Sequence, residues 1–261
     1  MVIFKHEMKQ GKTALIVWTA AISFMIGICI MIYPEMSSQM GEVSDMFAGM
    51  GSFSQAFGMD KINFGEFAGF FSVECGNVLG LGGAFFAAML GISALAKEEK
   101  EHTAEFLLAH PVSRAKIISG KLFAITAQIA ILNMVVIAVT VFSVIAIDID
   151  VPVKTLALLF IAYFLMQFET ATVTFCISAF LSHSGFGAGI ALAAVFYFLN
   201  IVANLTEQAE ILKYITPFGY TEGADIIMND AINGKYFASG IIFTIAGIIL
   251  AFWRYQRKDI L

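Results

Sequence analysis

Six stretches of the chain are apolar without the polar interruptions of a soluble helix or strand: Thr13–Tyr33, Ser72–Ala96, Ile117–Ile147, Thr155–Leu181, Gly185–Asn204 and Tyr236–Trp253. Crossing ~30 Å of hydrocarbon at ~1.5 Å per residue takes ~20 residues, and these runs are of that length. Backbone N–H and C=O groups find no water there, so such runs must be helical. The pattern predicts an all-α polytopic membrane protein with six transmembrane helices, in a single domain spanning residues 1–261. The third run exceeds what a crossing needs, which places its first residues at the interface. The first run is too long for the apolar region of a signal peptide. Tyr33-Pro34 follows it where small residues would mark cleavage, so it reads as a retained span.

Composition agrees. The chain is 59% apolar and 13% charged, with 26 Phe and 22 Gly, against about half apolar and about a quarter charged in a soluble domain. The net charge of −5 supplies no basic face for nucleic acid. Cys29, Cys75 and Cys176 are widely spaced and form no C-x-x-C pair, which points to buried thiols rather than a disulfide or zinc framework. Lys and Arg set the orientation. Lys5, Lys9 and Lys12 precede the first span. Lys97, Lys100, Arg114, Lys116 and Lys121 lie between the second and third, and Arg254, Arg257 and Lys258 follow the sixth. The other side holds Lys61, Lys154, Lys213 and Lys235. The expected topology has both termini in the cytoplasm.

Outside the spans, Met1–Lys12 is amphipathic, with Ile3, Phe4 and Met8 opposite Lys5, Lys9 and Lys12, and suits a helix lying in the membrane interface. A disordered basic tail is the simpler alternative. Pro34–Phe71 is rich in Met, Phe and Gly. Met46, Met50, Phe53, Phe57 and Met59 recur at roughly helical spacing, as in short helices over the outer mouth. Such residues can repack against varied apolar partners, although packing on neighbouring loops is the simpler and favoured reading. In Thr206–Lys235, Glu207–Tyr214 and Ala224–Ile232 are separated by Pro217, Gly219 and Gly223, giving a hairpin that can dip back into the outer leaflet where helices cover its backbone.

The segment Glu98–Lys121 is the polar exception between two apolar runs. Glu98, Glu99, Glu101 and Glu105 favour the start of a helix, and Phe106, Leu107 and Leu108 give it an apolar side. Pro111 ends it, and Ser113 is placed to cap the next helix. The result is a short helix along the cytoplasmic face, coupled to the second and third spans. From pattern alone it either docks a soluble partner or rests on lipid headgroups.

Glu98 to Arg114, E-E-K-E-H-T-A-E-F-L-L-A-H-P-V-S-R, resembles the cytoplasmic loop of ABC-2 type transporter permeases. That loop runs acidic-x-x-x-Gly-Thr-x-Glu-x-Leu-Leu, then Pro-Val-Ser-Arg and a Lys a few residues later. Thr103, Glu105, Leu107, Leu108, Pro111, Val112, Ser113, Arg114 and Lys121 match; His102 stands where the family usually has Gly. Thr216–Tyr220 with Ala224–Ile227, and Arg254–Ile260, are similar to the family's outer segment and basic C-terminus. The resemblance implies an ATP-driven exporter of two paired permeases, each binding a cytoplasmic ATPase through this loop. The ATPase-coupling residues it implies are Glu98, Glu99, Glu101, His102, Thr103, Glu105, Phe106, Leu107, Leu108, Pro111 and Arg114. An interfacial N-terminal helix and a re-entrant outer hairpin between the fifth and sixth spans also belong to that fold. The Met- and Phe-rich outer segment is most similar to bacterial exporters of amphipathic peptides, such as phenol-soluble-modulin transporters. Export of lipid, antibiotic or sodium would leave the same architecture.

No motif of the chain's own binds nucleotide. Gly11-Lys12-Thr13 has His6 where a P-loop needs Gly and leads into a span, so ATP and Mg²⁺ are expected on the partner. His6, His102, His110 and His183 lack metal-ligand spacing, and no paired catalytic groups exist. Glu169, within the fourth span beside Gln167, is costly in lipid, ~2.5–3.5 kcal/mol on insertion scales. It can line a polar path, carry a proton or bond a neighbouring helix, and a protonated structural carboxyl is an equal reading. Gln167, Glu74 and Asn133 join it as candidates for a transport path. A gradient-driven secondary transporter using Glu169 is the alternative function.

Overall fold

The computed structural model describes residues 2–48, 51–56, 59–63, 65–100, 112–182 and 185–258. These are helical throughout apart from connecting turns, with no strand among them. Six helices are long and apolar enough to cross a membrane: α1 (Val2–Ala48), α2 (Phe67–Ala94), α3 (Arg114–Ala146), α4 (Val153–Phe180), α5 (Phe186–Leu205) and α6 (Gly234–Arg257). α2 contains a π-helical turn, Phe71–Cys75. Short helical pieces lie at Ser52–Ala56, Met59–Lys61, Lys97–Lys100, Glu207–Tyr214, Pro217–Tyr220 and Gly223–Asn229.

The predicted spans correspond to these helices to within a few residues, except at the start. The Met1–Lys12 segment is helical from Val2 but not separate: α1 continues without a break from Val2 to Ala48. Its apolar side packs on protein, since a Cβ on Gly120 of α3 would lie 3.1 Å from the Ile3 side chain. α1 also runs on past Tyr33, through Pro34. One proline removes one backbone donor but does not oblige a helix to end. Of the residues expected to cap the outer mouth, Met46 falls in the extension of α1 and Met59 in a short 3₁₀ turn, while Met50 and Phe57 lie outside the described residues. α3 is a single helix from Arg114.

Neighbours in space are not neighbours in sequence. α1 packs chiefly on α3, α2 on α4, and α4 also on α6, while α5 lies against α2. α1 and α3 run in the same direction, with Ile3 beside Gly120, Gly11 beside Gln128 and Gly27 beside Ser143. α2 and α4 are likewise parallel, meeting first at Gly76 and Tyr163 and last at Gly91 and Thr174. Their approach is closest at Gly91, where any Cβ would run into the Ala171 carbonyl and the Thr174 side chain. In lipid there is little hydrophobic drive between helices, so small residues that allow such contact, and buried polar pairs, select the partners. α2 and α4 are the most buried helices, α5 and α6 the least.

The end of the bundle holding the starts of α1 and α3 and the ends of α2, α4 and α6 carries most of the Lys and Arg. It is called the basic end here, and the opposite one the far end. Glu207–Tyr214 and Gly223–Asn229 form the hairpin expected before α6. Thr206 caps the first piece through the Ala209 N–H, and Thr216 caps Pro217–Tyr220 through the Phe218 N–H. The hairpin reaches well into the bundle. Thr216 Oγ1 donates to the Phe196 carbonyl at 2.8 Å, nine residues or ~14 Å from the far end of α5.

Candidate functional site

Two buried polar systems stand out, one at the basic end and one in the middle of α4. At the basic end, Ser113 is extended and its hydroxyl accepts from the Lys116 N–H, so α3 starts where the sequence places its cap. Arg114 follows, half-buried. Its Nη1 lies 2.6 Å from the Lys258 carbonyl and 3.1 and 3.2 Å from those of Tyr255 and Gln256. These are carbonyls at the C-terminus of α6, where a cation complements both the unpaired acceptors and the helix dipole. Lys258 in turn donates to the Leu181 carbonyl at 2.7 Å, just beyond α4. Its Nζ also lies 2.6 Å from Glu99 Oε1, an ion contact without hydrogen-bond alignment.

The clamp continues towards α1. Lys121, on α3, is 1% exposed. Its ammonium donates to Glu7 Oε1 of α1 at 2.9 Å and to the Ala94 carbonyl of α2 at 2.7 Å. Lys97 bonds Gln10 of α1 at 2.5 Å. Both flanks of the charged loop are thus fixed to other helices. The side leaving α2 is held to α1 and Lys258, and the side entering α3 is held to α6, α1 and α2.

Of the expected coupling residues, Glu99 and Arg114 fall inside this clamp. Glu101, His102, Thr103, Glu105, Phe106, Leu107, Leu108 and Pro111 lie outside the described residues, and Glu98 is described only as part of the Lys97–Lys100 helix. Arg114 holds the end of α6, a role the motif did not suggest. Glu7, Lys121 and Lys258 complete the clamp without having been counted as site residues. A buried lysine is a recognisable signal only once burial is known, and their partners are distant in sequence.

The four candidates for a transport path do not line one path. Asn133 Nδ2 donates to Gln167 Oε1 at 2.6 Å, and Gln167 Nε2 to the Leu79 carbonyl at 3.3 Å, joining α3, α4 and α2. Both side chains are buried, as the absence of water in such a contact requires. Glu169, two residues on, turns to another side of α4. It is 3% exposed and accepts from the Tyr220 hydroxyl of the hairpin at 2.9 Å. Gly240 of α6 makes the room, since a Cβ there would run into Glu169 Oε2 and lie 2.8 Å from the Tyr220 ring. Burial and the neighbouring carboxyl push the Tyr220 hydroxyl well above its ordinary range, so it stays a donor. Glu74 is exposed in the π turn of α2, apart from the other three. Helical geometry explains the split, since positions two apart on a helix do not share a face.

Among the described residues no three His, Cys, Asp or Glu come together as metal ligands. The arrangement binds helices to one another. Compared with known proteins, residues 1–260 match the family described as ABC-2 family transporter protein. No curated protein matches.

Proposed function

The chain belongs to the ABC-2 transporter family and is a multi-pass ABC transporter permease; from that premise we propose that it is the membrane half of an ATP-driven exporter whose ATPase docks on the loop at 98–121. In this reading the basic end faces the cytoplasm, as the distribution of Lys and Arg favours. Two copies of the chain pair, each engages one ATPase, and ATP with Mg²⁺ is held by the ATPase.

The observation that carries the proposal is the clamp around Arg114 and Lys258. A docking loop transmits force only if its ends are fixed. Here the loop's two flanks hold the ends of α4 and α6 through Arg114, Glu99 and Lys258, and α1 through Lys121 and Lys97. A push from ATPase closure would therefore shift five helix ends together. The seam between the paired permeases would then open towards the far end. The hairpin that meets Glu169 acts in this scheme as the re-entrant element over the exit.

Amphipathic peptides are the proposed cargo, supported by the Met- and Phe-rich segment at 34–71, a surface chemistry that adapts to varied apolar partners. A gradient-driven transporter using Glu169 has less support, because that carboxyl is buried and bonded to the hairpin, away from Gln167 and Asn133.

The test is co-purification with the ATPase. Glu105→Arg and Phe106→Asp are expected to abolish capture of the ATPase while leaving membrane insertion intact. Normal capture by both variants would remove the docking site. Stimulation of ATPase activity by amphipathic peptides, absent with lipid or sodium, is the expected result for the cargo.

A further inference from the structure

At the far end, α2, α5 and the hairpin enclose a chamber of about 50 Å³, room for a few water-sized groups. Asn77, Tyr163, Tyr197, Asn200, Asn204 and Glu222 supply its polar lining. A wider mouth of about 320 Å³ shares Asn204 and Glu222 with it, so Glu222 stands where chamber and mouth meet. The backbone beside Glu222 is pressed onto α2, since a Cβ on Gly223 would lie 2.5 Å from Ser72 Cβ.

Two acceptors in the chamber stand out, the Glu222 carboxylate and the Asn200 carboxamide oxygen. Asn204 Nδ2 donates to Glu222 Oε2 at 2.9 Å, and Asn200 Nδ2 to the same oxygen at 3.4 Å. Turning either carboxamide round would set its oxygen against the carboxylate, so the amide orientations are fixed by Glu222. That leaves Asn200 Oδ1 buried with no hydrogen-bond partner, an arrangement that is costly unless something donates to it. Asn77 Oδ1 accepts from the Tyr197 hydroxyl at 3.2 Å. Glu222 forms no ion pair with the described residues. Of the two lysines in the mouth, Lys61 is exposed, and the Lys213 ammonium lies 6.0 Å over the Tyr236 ring.

We propose that this chamber binds a primary ammonium group, with Glu222 as its counter-charge and Asn200 Oδ1 as an acceptor. An ammonium brings three N–H donors to a carboxylate with no ion pair among the described residues and to an amide oxygen with no hydrogen-bond partner. A divalent metal ion fits poorly, because it needs six or more oxygen ligands and only one carboxylate is present. The ammonium can be that of a lysine or N-terminus on a peptide, or that of an amine-bearing lipid. The site is a property of this chain alone and does not depend on how the ATPase docks.

The test is thermal unfolding of the full chain in phosphatidylcholine nanodiscs, titrated at constant ionic strength with methylammonium, tetramethylammonium or sodium chloride. A saturable rise in Tm is expected with methylammonium alone. Glu222→Gln and Asn200→Leu should each weaken its half-saturation by roughly tenfold, equivalent to about 1.4 kcal/mol. A rise common to all three salts, a rise with sodium alone, or unchanged saturation in both variants would overturn the proposal. If the variants fail to fold, the discrimination among the three salts by the wild-type chain still decides. Nanodiscs containing phosphatidylethanolamine identify the source. Loss of the methylammonium response there assigns the site to lipid, and its persistence assigns it to a soluble amine; both outcomes support the site.

Discussion

At the basic end of the bundle, buried cations meet anions or carbonyls on other helices: Lys121 meets Glu7 and Ala94, Lys258 meets Glu99 and Leu181, and Arg114 meets the last carbonyls of α6. In the middle and at the far end, the carboxyls of Glu169 and Glu222 are met by neutral donors, Tyr220 on one and Asn200 and Asn204 on the other. Charge-assisted contacts are roughly twice as strong as neutral ones. They also resist exchange when buried, because either charge alone is costly there. The basic end is therefore the more firmly held inside the bundle; the far end's ion pair, Lys154 with Asp230, is exposed. The proposed exporter, if driven from its basic end, needs a stiff handle there and an outlet that yields at the other end.

The sharpest way to break this contrast is Glu7→Ala, which takes a carboxylate away from the buried Lys121. A loss of about 3 kcal/mol or more is expected in the thermal stability of the purified chain. Adding Lys121→Met should restore much of it, since the buried charge is then gone. A loss below ~1 kcal/mol, as an exposed pair would give, would mean that the basic end is not held by charge.

Arg114→Met comes next. It frees the end of α6 and should cost ~1.5–3 kcal/mol, the range for hydrogen bonds to a charged group. In the assembled transporter it should lower transport more than ATP hydrolysis, because the ATPase would still turn over while α6 no longer follows. Equal losses in the two rates would argue against transmission through this contact.

In the middle of the bundle, Tyr220→Phe removes the neutral donor from Glu169 and is expected to cost about 1 kcal/mol. Glu169→Gln retains an acceptor for Tyr220 and should cost less, whereas Glu169→Leu leaves the hydroxyl unmet. Hydrogen exchange of the hairpin at 206–233 reads both, and the expected order of protection is wild type, Gln, then Leu. The smallest effect belongs to Glu222→Gln without added amine. This residue is only partly buried, so a change under ~1 kcal/mol is expected. A larger loss would place a stiff contact at the far end and erase the difference between the two regions.

Much of this architecture was legible from the chain. Apart from α1, the spans fall within a few residues of their expected bounds, because length and hydropathy are set by the bilayer alone. Ser113 was legible as a cap because its partner lies three residues away. The hairpin pieces Glu207–Tyr214 and Gly223–Asn229 were legible from the Pro and Gly between them. The functional residues were legible mainly as anomalies. Glu169 stood out, but its partner Tyr220 did not, being 51 residues away. Arg114 belonged to a motif, yet it bonds carbonyls 141 to 144 residues further on. Glu74 was grouped with Gln167 on polarity, although it is exposed and Gln167 is buried.

The sequence by itself determined how many times this chain crosses a membrane, which end carries the positive charge, and which family it resembles. All of these depend on local composition and short motifs. Only the tertiary structure decided that α1 lies along α3, that α2, α4 and α6 run side by side, and that α1 is continuous from Val2 to Ala48. Apolar runs of similar hydropathy are nearly interchangeable as far as lipid is concerned. The choice among neighbours was left to close approaches such as Gly91 on Ala171, and to single polar contacts such as Asn133 with Gln167. Those depend on shape and on which faces meet, and no local reading of the chain contains them.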